Sequence, residues 1–205
     1  MMYRNYIKRI LDIIGALIGF PFFCIIFLFL APAIKFSDRG KIFYNAERLG
    51  RDGKVFKMYK FRSMKENAPD IRNDDGTTFN SEDDPRVTRV GKFIRNTSLD
   101  ETPQILNVLK GDMSIIGPRP DLPDAITMYK HGGEKKLLAR PGITGYTQAY
   151  FRNSILWEDR VCEDIYYIEN ISFKLDLLIF LKTIYSVLKK ENIYINSEEK
   201  EQKHG

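Results

Sequence analysis

The sequence predicts an α/β protein, a small domain mixing helices with a β-hairpin, carried behind a kinked N-terminal apolar helix. Three observations lead there. A run of 22 residues without a charge covers positions 13–34. Two short aromatic and β-branched stretches, 42–44 and 55–61, flank a loop bearing Gly50 and Gly53, which is the pattern of a hairpin. Apolar stripes at helical spacing recur further along the chain. With 205 residues in all, roughly 165 remain for one domain once the apolar segment is set aside. The expected division is a membrane-inserted helix over 1–36, one domain over 37–195, and a charged, disordered tail over 196–205.

The uncharged run would be about 33 Å long as a helix, enough to cross a bilayer core. Two features argue for a different geometry. Pro21 sits near its middle with Gly15 and Gly19 just before it, and a proline there removes a helix hydrogen bond and bends the axis. Basic residues also flank both ends: Arg4, Lys8 and Arg9 before it, Lys35, Arg39 and Lys41 after it. The positive-inside rule then fits a segment that dips in and returns to the same face better than one that crosses. A re-entrant helix is therefore preferred over a span. A cleaved signal peptide is disfavoured, because the run exceeds a usual h-region of about 7–15 residues and Pro32 lies inside the small-residue site.

The 32 basic residues outnumber 27 acidic ones, for a net charge of +5. Seven of the acids (Glu66, Asp70, Asp74, Asp75, Glu82, Asp83, Asp84) crowd into one stretch, which leaves the rest more basic. That suits an anionic membrane surface or phosphate-bearing ligands. Nucleic acid is disfavoured, since no basic run, helix-turn-helix or zinc-finger spacing is present. Cys24 lies in the apolar run and Cys162 in a polar stretch, so no disulfide is expected.

Beyond the hairpin, residues 66–85 read as a mobile acidic surface loop. Val87, Val90, Phe93 and Ile94 then recur at helical spacing among Arg86, Arg89, Lys92 and Arg95. A second helix is expected from near Asp100 to Lys110, stopped by Gly111. Extended and turn structure follows through Gly117-Pro118-Arg119-Pro120, and Arg140-Pro141-Gly142-Ile143-Thr144-Gly145 is another tight turn. Residues 157–168 and 172–190 read as helices. In the last, Phe173, Leu177, Phe180, Leu181, Ile184 and Leu188 form one apolar side, suited equally to a membrane interface or to a core.

Asp100-Glu101 is the most suggestive pair. Ser98-Leu99-Asp100-Glu101 spells a capping box, although Pro103 would then forfeit a backbone bond; with Asp100 itself as the cap, Pro103 falls harmlessly in the first turn. The same position could instead receive a phosphate, with one acid attacking phosphorus or holding Mg²⁺ and the other taking a proton. Arg119, between two prolines, offers a stiffly held fork for phosphate, and its plain alternative is a solvated turn. Lys8, Arg9 and Asp12, with Pro21, are candidates for the membrane and lipid-headgroup region. His131 has no ligand partner at metal spacing and reads as a loop residue.

Taken in order, Lys8-Arg9-x-x-Asp12, Lys57-Met58-Tyr59-Lys60-Phe61-Arg62-Ser63-Met64, Asp84-Pro85-Arg86-Val87-Thr88-Arg89-Val90-Gly91, Ser98-Leu99-Asp100-Glu101-Thr102-Pro103-Gln104 and Asn107-Val108-Leu109-Lys110-Gly111-Asp112-Met113-Ser114, followed by the two glycine-proline turns, resemble the bacterial sugar transferase family of small monotopic polyprenyl-phosphate phosphoglycosyl transferases. The resemblance implies a re-entrant membrane helix, a small cytoplasmic α/β domain and amphipathic helices in the interface. It implies transfer of a sugar-1-phosphate from a UDP-sugar to polyprenyl (undecaprenyl) phosphate with Mg²⁺, at the cytoplasmic face of the bacterial inner membrane, early in glycan assembly. Asp100 would be the nucleophile and a metal ligand, Glu101 would activate the lipid phosphate, and Arg95 and Arg119 would hold phosphate oxygens. Arg62, Arg140 and Asp164 also match family positions, without a role that can be derived.

Two departures stand out. Phe20-Pro21 replaces the usual Ser-Pro at the helix break, and Tyr146-Thr147-Gln148 replaces Trp-Ala-Gln. The competing readings are a non-catalytic membrane-surface scaffold and an ordinary glycosyltransferase, which would release UDP rather than UMP. Homo-oligomerisation stays open, because quaternary structure is not legible in this sequence.

Overall fold

The computed structural model describes residues 2–72, 79, 81, 83–130, 132–152 and 154–189. The tail over 196–205, His131 and much of the acidic loop lie outside the described residues. After a short π-helical turn at Tyr3–Ile7, helix α1 runs over Lys8–Asp38. The hairpin strands are β1, Phe43–Leu49, and β2, Val55–Phe61, antiparallel with Phe43 opposite Phe61 and Leu49 opposite Val55. Then come α2 (Arg89–Asn96), α3 (Gln104–Lys110) and β3 (Ser114–Ile116). They are followed by β4 (Gly142–Thr144), α4 (Tyr146–Tyr150), α5 (Trp157–Glu169) and α6 (Phe173–Lys189). The fold is a mixed α/β domain behind a long apolar helix, as the sequence predicts.

Helix α1 continues without a break through Pro21 and Pro32, so each proline costs one carbonyl its partner without ending the helix. One stripe of it (Asp12, Ala16, Phe23, Leu30, Ile34) is buried against the domain. Ala16 packs with Ala46, Phe56, Met58, Val108 and Met113. Phe23, Leu30 and Ile34 pack with Phe61 and Ile94, and the Phe23, Phe27, Phe43 and Phe61 rings stack on one another. Gly15 and Gly19 belong to the same contact: a Cβ on either would come within 2.5 Å of Ile115 Cδ1 or Ile105 Cδ1. In the sequence these glycines stand out only as neighbours of Pro21, whereas their tertiary use is close approach of the helix to the domain.

Both ends of α1 are fastened to the domain by polar groups. Asp12 Oδ1 accepts from Ser114 Oγ and Ile115 N, both at 2.9 Å. Arg9 donates to the Val108 and Leu109 carbonyls, and Lys8 pairs with Asp176 at 2.6 Å. At the far end Arg62 grips Asp38 through two nitrogens and also donates to the Lys41 and Met64 carbonyls. The opposite side of α1 is apolar and exposed, including Ile14, Leu17, Ile18, Phe22, Ile25, Leu28 and Phe29.

Helix α6 inverts the usual arrangement. Its polar stripe faces inward: Asp176 accepts from the Tyr167 hydroxyl at 2.7 Å, Thr183 meets Thr144 at 2.7 Å, and Ser186 donates to the Ala149 carbonyl at 3.1 Å. Phe173, Leu177, Phe180, Leu181, Ile184 and Leu188 are exposed. The core-facing alternative for this apolar side is thus set aside, because the core already satisfies the opposite stripe.

The parallel pairing of β3 with β4 was not foreseen, although extended and turn structure was expected before Pro120. Ser114 lies opposite Gly142 and Ile116 opposite Thr144. Gly117, Gly142 and Gly145 interlock at its end. A Cβ on Gly142 would fall 2.1 Å from Gly117 N, and one on Gly145 would fall 2.0 Å from Gly117 O. No side chain fits between these backbones, so the two glycine-proline motifs are one structure, and Arg119 leaves from it.

Candidate active site

Asp100 and Glu101 lie on a single 3₁₀ turn, Leu99–Glu101, ahead of α3. Neither capping reading is realised. Ser98 is in the left-handed region at φ 57° and makes no side-chain cap, and Pro103 takes the position before α3. Glu101 does not reach back to Ser98; its Oε1 accepts from Lys60 Nζ at 2.6 Å. Both carboxylates are therefore spared from helix capping.

Asn107 sets this geometry. Fully buried, it accepts from Tyr59 N at 2.9 Å and donates to the Lys57 carbonyl at 2.8 Å, so one amide satisfies the free edge of β2 and registers α3 against it. Lys60 is thereby delivered to Glu101. On the other side, α2 approaches the chain beyond β2 so closely that a Cβ on Gly91 would lie 1.8 Å from the Ser63 carbonyl oxygen. One turn later Arg95 Nε donates to Ser63 Oγ at 2.9 Å, which holds its guanidinium near Asp100.

The two carboxyls have different environments. Burial raises the Asp100 pKa, and the Glu101 charge adds to this against the pull of Lys60 and Arg95. Burial also opposes ionisation of Glu101, but Lys60, Arg119 and Arg152 outweigh it and hold that carboxyl below its usual range. Two titratable groups pushed apart in this way have distinct roles available to them. Among the described residues Asp100 makes no ion pair. No cluster of three or more His, Cys, Asp or Glu side chains suited to a metal is found among them either.

The structure brings Asp100, Glu101, Arg95 and Arg119 together. It puts the other sequence candidates elsewhere. Arg62 clamps the end of α1, and Arg140 Nε donates to the Gly111 carbonyl at 2.9 Å. Asp164 is fully buried, accepting from Thr147 Oγ1 at 3.0 Å with Lys136 Nζ at 2.9 Å. Lys8 and Arg9 spend their donors on Asp176 and on the end of α3, so headgroup contact by either would compete with internal bonds. Pro21 is exposed on α1. Lys60 was missed as a site residue; its signal was its alternation with Met58 on one hairpin face, which becomes informative only once that face is known to meet Glu101.

An acid pair among fixed cations suits chemistry at a phosphate. The chain belongs to the bacterial sugar transferase family, whose sequence model matches residues 3–190. It is 44% identical over 189 residues to the galactosyl transferase CpsE of Streptococcus agalactiae serotype III, covering 88% of this chain and 42% of that protein. It is 40% identical over 198 residues to the exopolysaccharide production protein ExoY of Sinorhizobium fredii, covering 91% and 88%. The UDP-N-acetylgalactosamine-undecaprenyl-phosphate N-acetylgalactosaminephosphotransferase of Aeromonas hydrophila is 40% identical over 195 residues, covering 89% and 44%. The chain thus spans less than half the length of two of these relatives and most of the third.

Proposed function

We propose that this protein transfers a sugar-1-phosphate from a UDP-sugar to polyprenyl phosphate and releases UMP. The observation that carries the reading is the adjacent acid pair, free of capping duty and surrounded by Lys60, Arg95 and Arg119. A carboxylate oxygen of Asp100 attacks the phosphorus that bears the sugar. The new P–O bond forms as the bond to the bridging oxygen breaks, and UMP departs with that electron pair. An oxygen of polyprenyl phosphate then attacks the same phosphorus and displaces Asp100 as its carboxylate. Glu101, kept ionised by its cationic neighbours, takes any proton the lipid phosphate carries. Arg95 and Arg119 balance charge on the transferring group.

The donor set fits Mg²⁺, which uses one or two carboxylates together with substrate phosphates. Asp100, with Glu101 beside it, would hold the ion. When bound, it would neutralise phosphate charge and favour the ionised form of Asp100 against the effect of burial.

The proposed setting is the cytoplasmic face of the bacterial inner membrane. Polar attachments at both Asp12 and Asp38 support a helix that enters and returns, because a crossing would drag the polar domain into hydrocarbon. The exposed apolar sides of α1 and α6 are the surfaces that would meet lipid. The names of the Aeromonas and Streptococcus relatives accord with donor, carrier and sugar transfer.

The test is UMP release by purified, detergent-solubilised protein given Mg²⁺, polyprenyl phosphate and a panel of UDP-sugars, beside Asp100→Asn. Lipid-dependent UMP that the variant fails to produce is expected. UDP as the product would replace this reading with simple glycosyl transfer.

A further inference from the structure

Arg48 played no part in the sequence reading, and among the described residues its Nη1 is left without a hydrogen-bond partner. It projects from the hairpin face that also carries Ala46 and Lys60, since Tyr44, Ala46 and Arg48 lie opposite Lys60, Met58 and Phe56. The other edge of β1 meets the segment that follows Arg119, through the bond from Leu49 N to the Asp121 carbonyl at 2.9 Å. Arg48 and Arg119 are thus brought side by side by the backbone.

Arg48 Nη1 is buried without a hydrogen-bond partner, and Arg48 makes no ion pair among the described residues. Burial, followed by the charge of Arg119, depresses its pKa, with Tyr44 and Asp121 opposing. Asp121 is the nearby anion, but its Oδ2 already accepts from Lys136 at 2.6 Å and Tyr129 at 2.9 Å. An unpaired, largely buried guanidinium beside a second one is unfavourable in isolation. It becomes favourable when an oxyanion with several acceptors binds both, and the arginine fork matches phosphate in that role.

We propose that Arg48 and Arg119 together seat the phosphate that is not transferred. This rests on the reading of the site given above. Lys60, which holds Glu101, and Arg48 lie on the same face of the hairpin, and the segment that follows Arg119 bonds the strand next to Arg48. Arg48 and Arg119 therefore lie further along this face from the acid pair than Lys60 does. A phosphate joined through one bridging oxygen to the reacting phosphorus lies in that direction. In the first step it belongs to the nucleoside monophosphate, and in the second the lipid phosphate can take the same place.

The test uses full-length protein and two variants, Arg48→Lys, which keeps the charge and loses the fork, and Arg48→Met. UMP binding is measured by titration calorimetry, which needs no turnover, and thermal melting checks the fold. Donor KM and the rate of discharge of the phosphosugar-enzyme to polyprenyl phosphate are measured separately. Binding of UMP weakened by about tenfold to a hundredfold in Arg48→Lys, with an unchanged melting temperature, is expected. A raised donor KM with normal discharge assigns the seat to the nucleotide; slowed discharge assigns it to the lipid phosphate as well. If both variants bind UMP and discharge as wild type does, the seat is refuted although the transferase stands. If wild type binds UMP through Arg48 yet never turns over, the transferase reading fails and the seat survives.

Discussion

Lys60 Nζ lies 2.6 Å from Glu101 Oε1, joining the hairpin to the turn that carries both acids. This pair is half-buried, and the same lysine also lowers the pKa of Asp100. The proposed attack by Asp100 uses its ionised form, so activity is expected to rise with pH as Asp100 loses its proton. Removing the Lys60 charge raises that pKa further. Lys60→Gln should lower kcat/KM and move the acid limb of the pH–rate profile to higher pH. A profile superimposable on wild type would detach Lys60 from the chemistry.

Arg119 emerges from the interlocked glycines as a rigid fork. Arg119→Lys keeps the charge but loses bidentate geometry, and the removal of one charge-assisted hydrogen bond predicts about a tenfold to hundredfold loss of kcat/KM. Thermal melting should be unchanged. Steady-state kinetics on the donor identified by UMP release measure this directly.

Asn107 satisfies a buried N–H and a buried carbonyl of β2. Asn107→Ala leaves both without a partner, for a stability loss of about 2–5 kcal/mol, read from chemical denaturation in detergent. A loss below about 1 kcal/mol would mean that water replaces the amide.

Gly19 meets Ile105 Cδ1, the end of a flexible side chain. Gly19→Leu should overpack the helix contact and cost about 1–3 kcal/mol. Adding Ile105→Ala should recover part of that loss. Simple additivity of the two changes in a double-mutant cycle would show that the residues do not touch.

Asp38 is held well below the usual carboxylate range by its hydrogen bonds to Arg62. Because the folded-state pKa is the lower one, the pair stabilises the fold above the unfolded-state pKa of about 3.9 and loses that contribution as pH falls toward the folded value. The melting-temperature gap between wild type and Arg62→Met should therefore be wide at neutral pH and narrow below about pH 4. A gap independent of pH would mean that the arginine stabilises by packing alone.

The chain's local pattern makes legible the apolar helix, β2 to its residue limits, the hairpin loop at 50–53, α5, α6 and the stop at Gly111, because each is written in local periodicity or glycine chemistry. It also determined the family, through many motifs in unchanged order. It singled out Asp100 and Glu101 as candidates but left their capping role open, since Ser-x-x-Glu spacing is the same whether or not the glutamate turns back. Only the tertiary structure decided that Glu101 faces Lys60, that Gly15 and Gly19 are contact points, that β3 pairs with β4, and that α6 turns its polar stripe inward. Each of these depends on a partner far away in sequence, in one case across 173 residues between Tyr3 and Asp176. Local pattern constrains how a segment folds, but the partner of a buried carboxylate, amide or guanidinium is fixed by packing, and here packing separates the residues that hold the fold, such as Arg62 and Asp164, from those gathered around Asp100.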